Sequence, residues 1–215
     1  MSEKKNISIL TIDYGAGGAE RVISLLLKEM VKDFNLTLVI YYNYVDYDIP
    51  EGVELVILLP NGDRTNTLYR KTKDTLLIAK KYNKLIKDKK IDVSISFLAL
   101  PNIINGIVNK RNSNLKTIIS ERCFPSIMYK ANRSSDFLSK YVFPIYYAKN
   151  DHLFSNSEYI NIDLKQNFKV NMSMSVIYNP IEIDDLHIKP LDSIKESETL
   201  NIINVGSIYE PKNQK

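Results

Sequence analysis

The sequence predicts an α/β domain with a doubly wound, parallel, Rossmann-like sheet over residues 1–180. Short apolar runs alternate here with longer stretches of helical period, which is the pattern of strands joined by crossover helices. A glycine-rich loop at 13–18 directly follows the first apolar run. With 215 residues, 44% of them hydrophobic, the chain is long enough to bury the core that such a domain needs.

The first predicted unit is a strand at 7–12, the glycine-rich loop and a helix at 19–31, where apolar residues recur at helical spacing. Ser155-Asn-Ser-Glu158 has the spacing of a capping box and predicts the start of a helix that ends near 168. The other predicted strands lie at 36–42, 53–59, 93–97, 115–119, 152–155 and 175–178, and the other predicted helices at 66–90, 101–108 and 134–147.

Asn179-Pro180 ends this alternation. Residues 181–199 are polar and have no clear period, which predicts a linker. The apolar run 200–205 then predicts the first strand of a second domain, 200–215, that is truncated just after it begins.

Composition excludes several classes of protein. Cys123 is the one cysteine, so no intramolecular disulfide is possible; a small packed side chain is favoured over a nucleophile, because no histidine is well placed to activate it. The two histidines fit no metal-ligand spacing, so we expect no metal. The polar N-terminus and the absence of a long apolar segment predict a cytoplasmic protein.

The glycine-rich loop indicates either a phosphate or sugar site at a helix N-terminus or simply a tight strand-to-helix turn. A dinucleotide site is disfavoured. Glu20 stands where the third glycine of that fingerprint belongs, and the second predicted strand has no acid at its end before Asp46.

Six segments, in order and covering nearly the whole chain, resemble the motifs of family 4 glycosyltransferases. These are retaining enzymes built from two Rossmann domains, the GT-B type, so the resemblance implies the N-terminal half of a GT-B fold. The segments are Gly17-Gly-Ala-Glu-Arg21, Asp92-Val-Ser-Ile-Ser-Phe-Leu98, Ile119-Ser-Glu-Arg122, Phe154-Ser-Asn-Ser157, Val176-Ile-Tyr-Asn-Pro180, and Asn204-Val-Gly206 with Lys212-Asn-Gln214.

The resemblance implies transfer of a sugar from a nucleotide-sugar to a glycan or polyprenyl-linked acceptor, with retention and without a metal or other cofactor, in bacterial surface polysaccharide synthesis such as capsule or lipopolysaccharide. Gly17 and Gly18 would face the cleft between the two domains, and Lys212 would bind the donor diphosphate. Ser207 departs from the family, which usually has a second phosphate-binding cation, an arginine, at this position. The carboxylate pair that holds the donor in this family would lie beyond residue 215, so we expect the chain to be inactive alone.

Glu121, Arg122 and Asn179 complete the predicted site. Glu121 is the candidate catalytic residue, which would contact the transferred sugar or accept a proton. The alternative is an internal contact of Glu121 or Arg122 that shapes the cleft wall. Arg122 and Asn179 are predicted to bind substrate.

The basic stretch 70–90 predicts either peripheral contact with the inner leaflet of the plasma membrane or a solvated lysine face. No nucleic-acid-binding module is present, so we expect no nucleic-acid partner. The aromatic residues of 141–147 are expected to pack a helix on the sheet, with a membrane or acceptor face as the alternative. Two further hypotheses remain, a non-catalytic acceptor- or membrane-binding subunit that needs a separate donor-binding chain and, from the fold alone, a nucleotide-sugar epimerase.

Overall fold

The computed structural model describes residues 4–62, 68–129 and 133–181, and only the backbone of 68–73, 129 and 133–139. Within these residues seven strands form one sheet in the order β3-β2-β1-β4-β5-β6-β7, and every neighbouring pair is parallel. The strands are β1 (Asn6–Thr11), β2 (Asn35–Ile40), β3 (Val53–Ile57), β4 (Val93–Phe97), β5 (Lys116–Glu121), β6 (His152–Ser155) and β7 (Met174–Val176). The helices are α1 (Gly18–Met30), α2 (Leu68–Asp88), α3 (Ala99–Asn109), α4 (Pro125–Tyr129), α5 (Arg133–Tyr146) and α6 (Glu158–Phe168).

The strand order reverses between β1 and β4. The chain builds outward from β1 to β3, returns through α2 to β4 beside β1, and then builds the other way to β7. This confirms the doubly wound parallel sheet, and it places a crevice at the carboxyl ends of β1 and β4, where ligands bind in such sheets.

Apolar side chains cover both faces of the sheet. Along β1, Ile9 belongs to the hydrophobic cluster that contains Ile23 of α1, whereas its neighbour Leu10 belongs to the cluster that contains Tyr82 of α2 and Ile104 of α3. Successive side chains of a strand point to opposite faces, so one apolar strand contributes to two cores.

Three local predictions differ from the structure. The capping box is wrong, because the N-cap of α6 is Ser157, two residues after Ser155, and it makes no side-chain capping bond; the Ser155 hydroxyl donates to the carbonyl of Ser157 instead. Helix α4 was not predicted, because five residues are too few to show a helical period. Helix α5 ends at Tyr146 and continues as a 3₁₀ turn, Tyr147–Lys149.

Residues 182–215 lie outside the described residues, so the predicted linker beyond residue 181, the strand at 200–205, Ser207 and Lys212 are not described.

Candidate functional site

The glycine-rich loop lies at the carboxyl edge of the sheet, between β1 and α1. Gly17 is the N-cap of α1 and offers no side-chain capping bond. A Cβ atom on Gly17 would overlap the carboxylate of the buried Glu20, whereas a Cβ on Gly18 would meet nothing within 4 Å. A side chain at position 17 would therefore displace the Glu20 carboxylate, whereas Gly18 leaves open space in front of the first turn of the helix.

Two acidic side chains, the buried Asp13 and the exposed Asp46, hold the backbone of this loop. Asp13 accepts a hydrogen bond from the N–H of Gly15 at 3.1 Å, and Asp46 accepts one from the N–H of Ala16 at 2.9 Å. The N–H of Gly17 donates to the carbonyl of Gly15 at 2.8 Å. Because these three N–H groups bond within the protein, the approach to a ligand lies at the helix N-terminus that begins with Gly18.

Glu121, the last residue of β5, is fully buried, and both carboxylate oxygens accept internal hydrogen bonds. Oε2 accepts from the Tyr147 hydroxyl at 2.8 Å, and Oε1 accepts from the N–H groups of Arg122 at 3.2 Å and Cys123 at 3.4 Å. Burial raises the pKa of Glu121 to about 7, although these hydrogen bonds and the charge of Arg122 oppose the rise. The carboxylate is thus held by internal hydrogen bonds at the end of β5, and a catalytic role for Glu121 stays a prediction.

Arg122 and Asn179 are brought together although they are far apart in the sequence. The Arg122 guanidinium donates to Asn179 Oδ1 and so ties the end of β5 to the segment that follows β7. Arg122 is half-buried, and burial lowers the pKa of its guanidinium. Asn179 is exposed. Two predicted substrate-binding residues therefore form one polar group at the carboxyl edge.

Leu98 follows β4 at the same edge of the sheet, and its unusual backbone conformation was not predicted. Its backbone has φ 74° and ψ 159°, a conformation that residues with a side chain rarely adopt. Its N–H donates to the carbonyl of Ser120 at 3.1 Å, and its carbonyl accepts from the N–H of Asn102 at 3.0 Å. Strain of this kind collects at binding sites, and nothing in the sequence around Leu98 signals it.

Two buried asparagines of α3 were also missed. Asn102 and Asn105 are fully buried, and their side chains bond to β4 and to the backbone of β5. A signal was available, because two amides within an otherwise apolar helix must find partners when buried.

Exposed side chains of two kinds lie around the fold. Phe124, Ile127 and Met128, called here the α4 apolar surface, are exposed directly after Arg122. Lys80, Lys84 and Lys87 of α2 are exposed within the predicted basic stretch. Lys84 forms an ion pair with Asp88 at 3.7 Å, so part of that basic charge is neutralised.

The described residues contain no group of three or more His, Cys, Asp or Glu side chains placed to hold a metal ion. None of the described helices has both the length and the apolar character that a membrane crossing requires.

Comparison with curated proteins reveals one extended similarity. The chain is 29% identical over 210 residues to the N-acetylgalactosamine-N,N'-diacetylbacillosaminyl-diphospho-undecaprenol 4-alpha-N-acetylgalactosaminyltransferase of Campylobacter jejuni. The match covers 97% of this chain and 57% of that relative, so the chain spans a little over half the relative's length. No family model matches the chain.

Solved structures match the fold. The sucrose-phosphate synthase of Thermosynechococcus elongatus superimposes with a TM-score of 0.64 at 10% identity, covering 81% of this chain and 48% of that one. The lipopolysaccharide outer core galactosyltransferase WaaB superimposes with a TM-score of 0.61 at 15% identity, covering 89% and 50%. In each case the chain matches about half of the other chain, which supports the predicted fold.

Proposed function

We propose that this chain is the N-terminal, acceptor-side domain of a retaining GT-B-type glycosyltransferase. That enzyme would move a sugar from a nucleotide-sugar to a polyprenyl-diphosphate-linked glycan. The observation that carries the proposal is the 29% identity over 97% of the chain to a transferase whose acceptor is a diphospho-undecaprenol glycan. An epimerase has no comparable support, because its case rests on the fold alone.

The carboxyl edge supplies groups that suit such an acceptor. The Arg122 guanidinium can donate to diphosphate or sugar oxygens, and its bond to Asn179 orients it before the acceptor arrives. The first turn of α1, open at Gly18, offers backbone N–H groups and a partial positive charge. These groups stabilise negative charge on the reacting diphosphates without a metal ion.

The α4 apolar surface supports a lipid-linked acceptor. It begins two residues after Arg122, so an acceptor whose diphosphate contacts Arg122 meets apolar side chains next along its length. Asp163 of α6 holds α4 in place by accepting from the backbone N–H of Ser126 at 2.8 Å and from its hydroxyl at 2.5 Å. The lysines of α2 would add attraction to anionic lipid.

Calorimetry on the chain tests the proposed acceptor site. A short-chain polyprenyl diphosphate carrying N-acetylhexosamine should bind, whereas a panel of UDP-, GDP- and ADP-sugars should not, because the donor groups are predicted in a second domain. Tight binding of a nucleotide-sugar by this chain alone would show that the glycine-rich loop is a complete nucleotide site and would overturn the proposal.

Sedimentation with vesicles tests the lipid surface. With anionic phosphatidylglycerol vesicles, replacing Ile127 and Met128 by Ser should weaken binding more than replacing Ile162, an exposed residue of α6, by Ser. Equal losses from both changes would remove the special role of the α4 apolar surface.

The alternative of a non-catalytic binding subunit predicts the same acceptor binding. It differs in one outcome, since sugar transfer would then require a separate donor-binding chain, and adding that chain in trans would restore transfer.

A further inference from the structure

A continuous chain of buried side-chain hydrogen bonds crosses the domain and ends at Glu121. It starts beneath α2, passes through α3 and reaches the carboxyl end of β5. Consecutive members lie between 2.5 and 3.5 Å apart. The members, in order, are Ser8, Tyr82, Ser94, Asn105, Ser96, Asn102, Tyr147 and Glu121, and we call them the polar chain.

Backbone carbonyls fix the orientation of the two amides in the polar chain. Asn105 Nδ2 lies 3.1 Å from the carbonyl of Ser94, and Asn102 Nδ2 lies 2.9 Å from the carbonyl of Ser120. A carbonyl only accepts, so each of these amide atoms must be the donating nitrogen. The amide oxygens therefore accept, Asn105 Oδ1 from Ser94 at 2.7 Å and Asn102 Oδ1 from Ser96 at 2.8 Å.

Counting protons then settles the direction of the remaining bonds. The Ser94 hydroxyl has one proton and gives it to Asn105, so the Tyr82 hydroxyl must donate to Ser94. Tyr82 has then used its own proton, so Ser8 must donate to Tyr82. Beyond Asn105, each member donates to the next in the order given above. The last of these bonds runs from the Tyr147 hydroxyl to Glu121. Every bond of the polar chain therefore points toward the Glu121 carboxylate.

We propose that the polar chain is a positioning device for the acceptor site, in which Asn102 holds the Tyr147 hydroxyl, Tyr147 holds the Glu121 carboxylate, and Glu121 in turn holds the backbone of Arg122. This inference rests on the proposed function, because it concerns the orientation of Arg122 toward the acceptor. The Glu121 carboxylate accepts from the N–H groups of Arg122 and Cys123, so its position determines where the Arg122 side chain leaves the backbone.

Two physical arguments favour a positioning role for the polar chain over a role in packing alone. Aligned hydrogen bonds polarise one another, so the last donor, Tyr147, is strengthened by the bonds behind it. An apolar side chain at position 121 would fill the same buried space without the desolvation that raises the pKa of Glu121 to about 7. Among the described residues, the groups that lower the Glu121 pKa against the effect of burial are the Tyr147 hydroxyl, the backbone N–H groups of Cys123 and Arg122, and the charge of Arg122.

The test compares Tyr147→Phe with Tyr82→Phe. Both substitutions remove one buried hydroxyl from the polar chain, but only Tyr147 contacts Glu121. Two quantities are measured for each variant: the carboxyl pKa of Glu121, from ¹³C NMR against a Glu121→Gln reference, and the affinity for the short-chain polyprenyl diphosphate N-acetylhexosamine, by calorimetry.

We expect Tyr147→Phe to move the Glu121 titration above about 7, because a bond to the charged form is lost, and to weaken acceptor binding several-fold. Tyr82→Phe should lower stability to a similar extent but change the titration and the affinity much less, because Tyr82 lies near the far end of the polar chain and reaches Glu121 only through the intervening bonds. A Glu121 titration unchanged by Tyr147→Phe would overturn the positioning role. So would equal losses of acceptor affinity in the two variants, which would indicate general destabilisation.

The two measurements separate this inference from the proposed function. If the wild-type chain binds no acceptor while the Glu121 titration responds to Tyr147→Phe alone, the proposed acceptor site fails and the polar chain is structural only. If the wild-type chain binds acceptor and Tyr147→Phe binds equally well, the acceptor site stands and the positioning role fails.

Discussion

A carboxyl group lies at each end of β5, and the fold shifts the pKa values of the two groups in opposite directions. At the amino end, Asp151 accepts from the N–H of Thr117 at 2.8 Å and from its hydroxyl at 3.1 Å, close to Lys116. Partial burial alone would raise the pKa of Asp151, but these hydrogen bonds and Lys116 outweigh it and lower the pKa. At the carboxyl end, burial dominates and raises the pKa of Glu121.

The amino edge is thus arranged for stability. Partly exposed side chains form ion pairs there, Lys116 with Asp151 at 3.5 Å and Lys89 with Glu54 at 2.6 Å. The carboxyl edge instead contains the buried Glu121 carboxyl, whose ionised form lowers stability. The strained Leu98 and the half-buried Arg122 lie at the same edge. Costs of this kind persist where binding or chemistry needs them, which is why the site belongs at the carboxyl edge.

The largest expected effect is on the pH dependence of stability. The folded-state pKa of Glu121 is about 7 against an ordinary 4.5, so the carboxyl is more easily ionised in the unfolded chain. The free energy of unfolding should therefore fall as pH rises from 4.5 to about 7, by on the order of 3 kcal/mol. Glu121→Gln should remove this dependence, as measured by urea unfolding across pH. A wild-type free energy of unfolding that stays constant between pH 4.5 and about 7 would contradict the raised pKa of Glu121 and, with it, the contrast between the two ends of β5.

Arg122→Ala should have the next largest effect, on acceptor affinity. Loss of charged hydrogen bonds should weaken binding of the polyprenyl diphosphate sugar by about tenfold or more. The exposed Arg111, in the loop before the amino end of β5, offers a matched control, and Arg111→Ala should bind like the wild type. Equal losses from both changes would indicate a general charge effect instead of a site.

Gly18→Ala should separate binding from stability at the same edge. An added Cβ meets no protein atom within 4 Å, and alanine favours a helix, so stability should hold or rise slightly. The same methyl group would stand in front of the helix N-terminus and weaken acceptor binding several-fold by calorimetry. Unchanged affinity would show that the ligand does not approach α1 at Gly18.

Asp151→Asn should have the smallest effect. The pKa of Asp151 is lowered in the fold, so its contribution to stability is present above pH 3.8 and is lost as pH falls below that value. Because the side chain is 38% exposed, the loss at neutral pH should stay below about 1 kcal/mol, as measured by thermal unfolding. Acceptor affinity should not change, and a change would show that the two ends of β5 are coupled.

Much of this arrangement could be predicted from the sequence. The period of the apolar residues indicated the seven strands and the crossover helices, because burial on both faces of a parallel sheet leaves a local pattern. Glycines and a strand-end Glu-Arg pair indicated the carboxyl edge, since parallel strands end together. The predictions for Ser207 and Lys212 remain predictions, because these residues lie outside the described part of the chain.

The tertiary structure alone decided the surroundings of these residues. Asn102 and Tyr147 approach Glu121 from different helical segments, and the bond of Tyr147 to Glu121 spans 26 positions of sequence, so no local spacing reveals it. The same holds for Arg122 and Asn179, which lie 57 positions apart. Secondary structure can be predicted from the sequence because buried residues recur at a local period. The raised pKa of Glu121 and the direction of the polar chain depend instead on residues distant in sequence that the fold buries side by side.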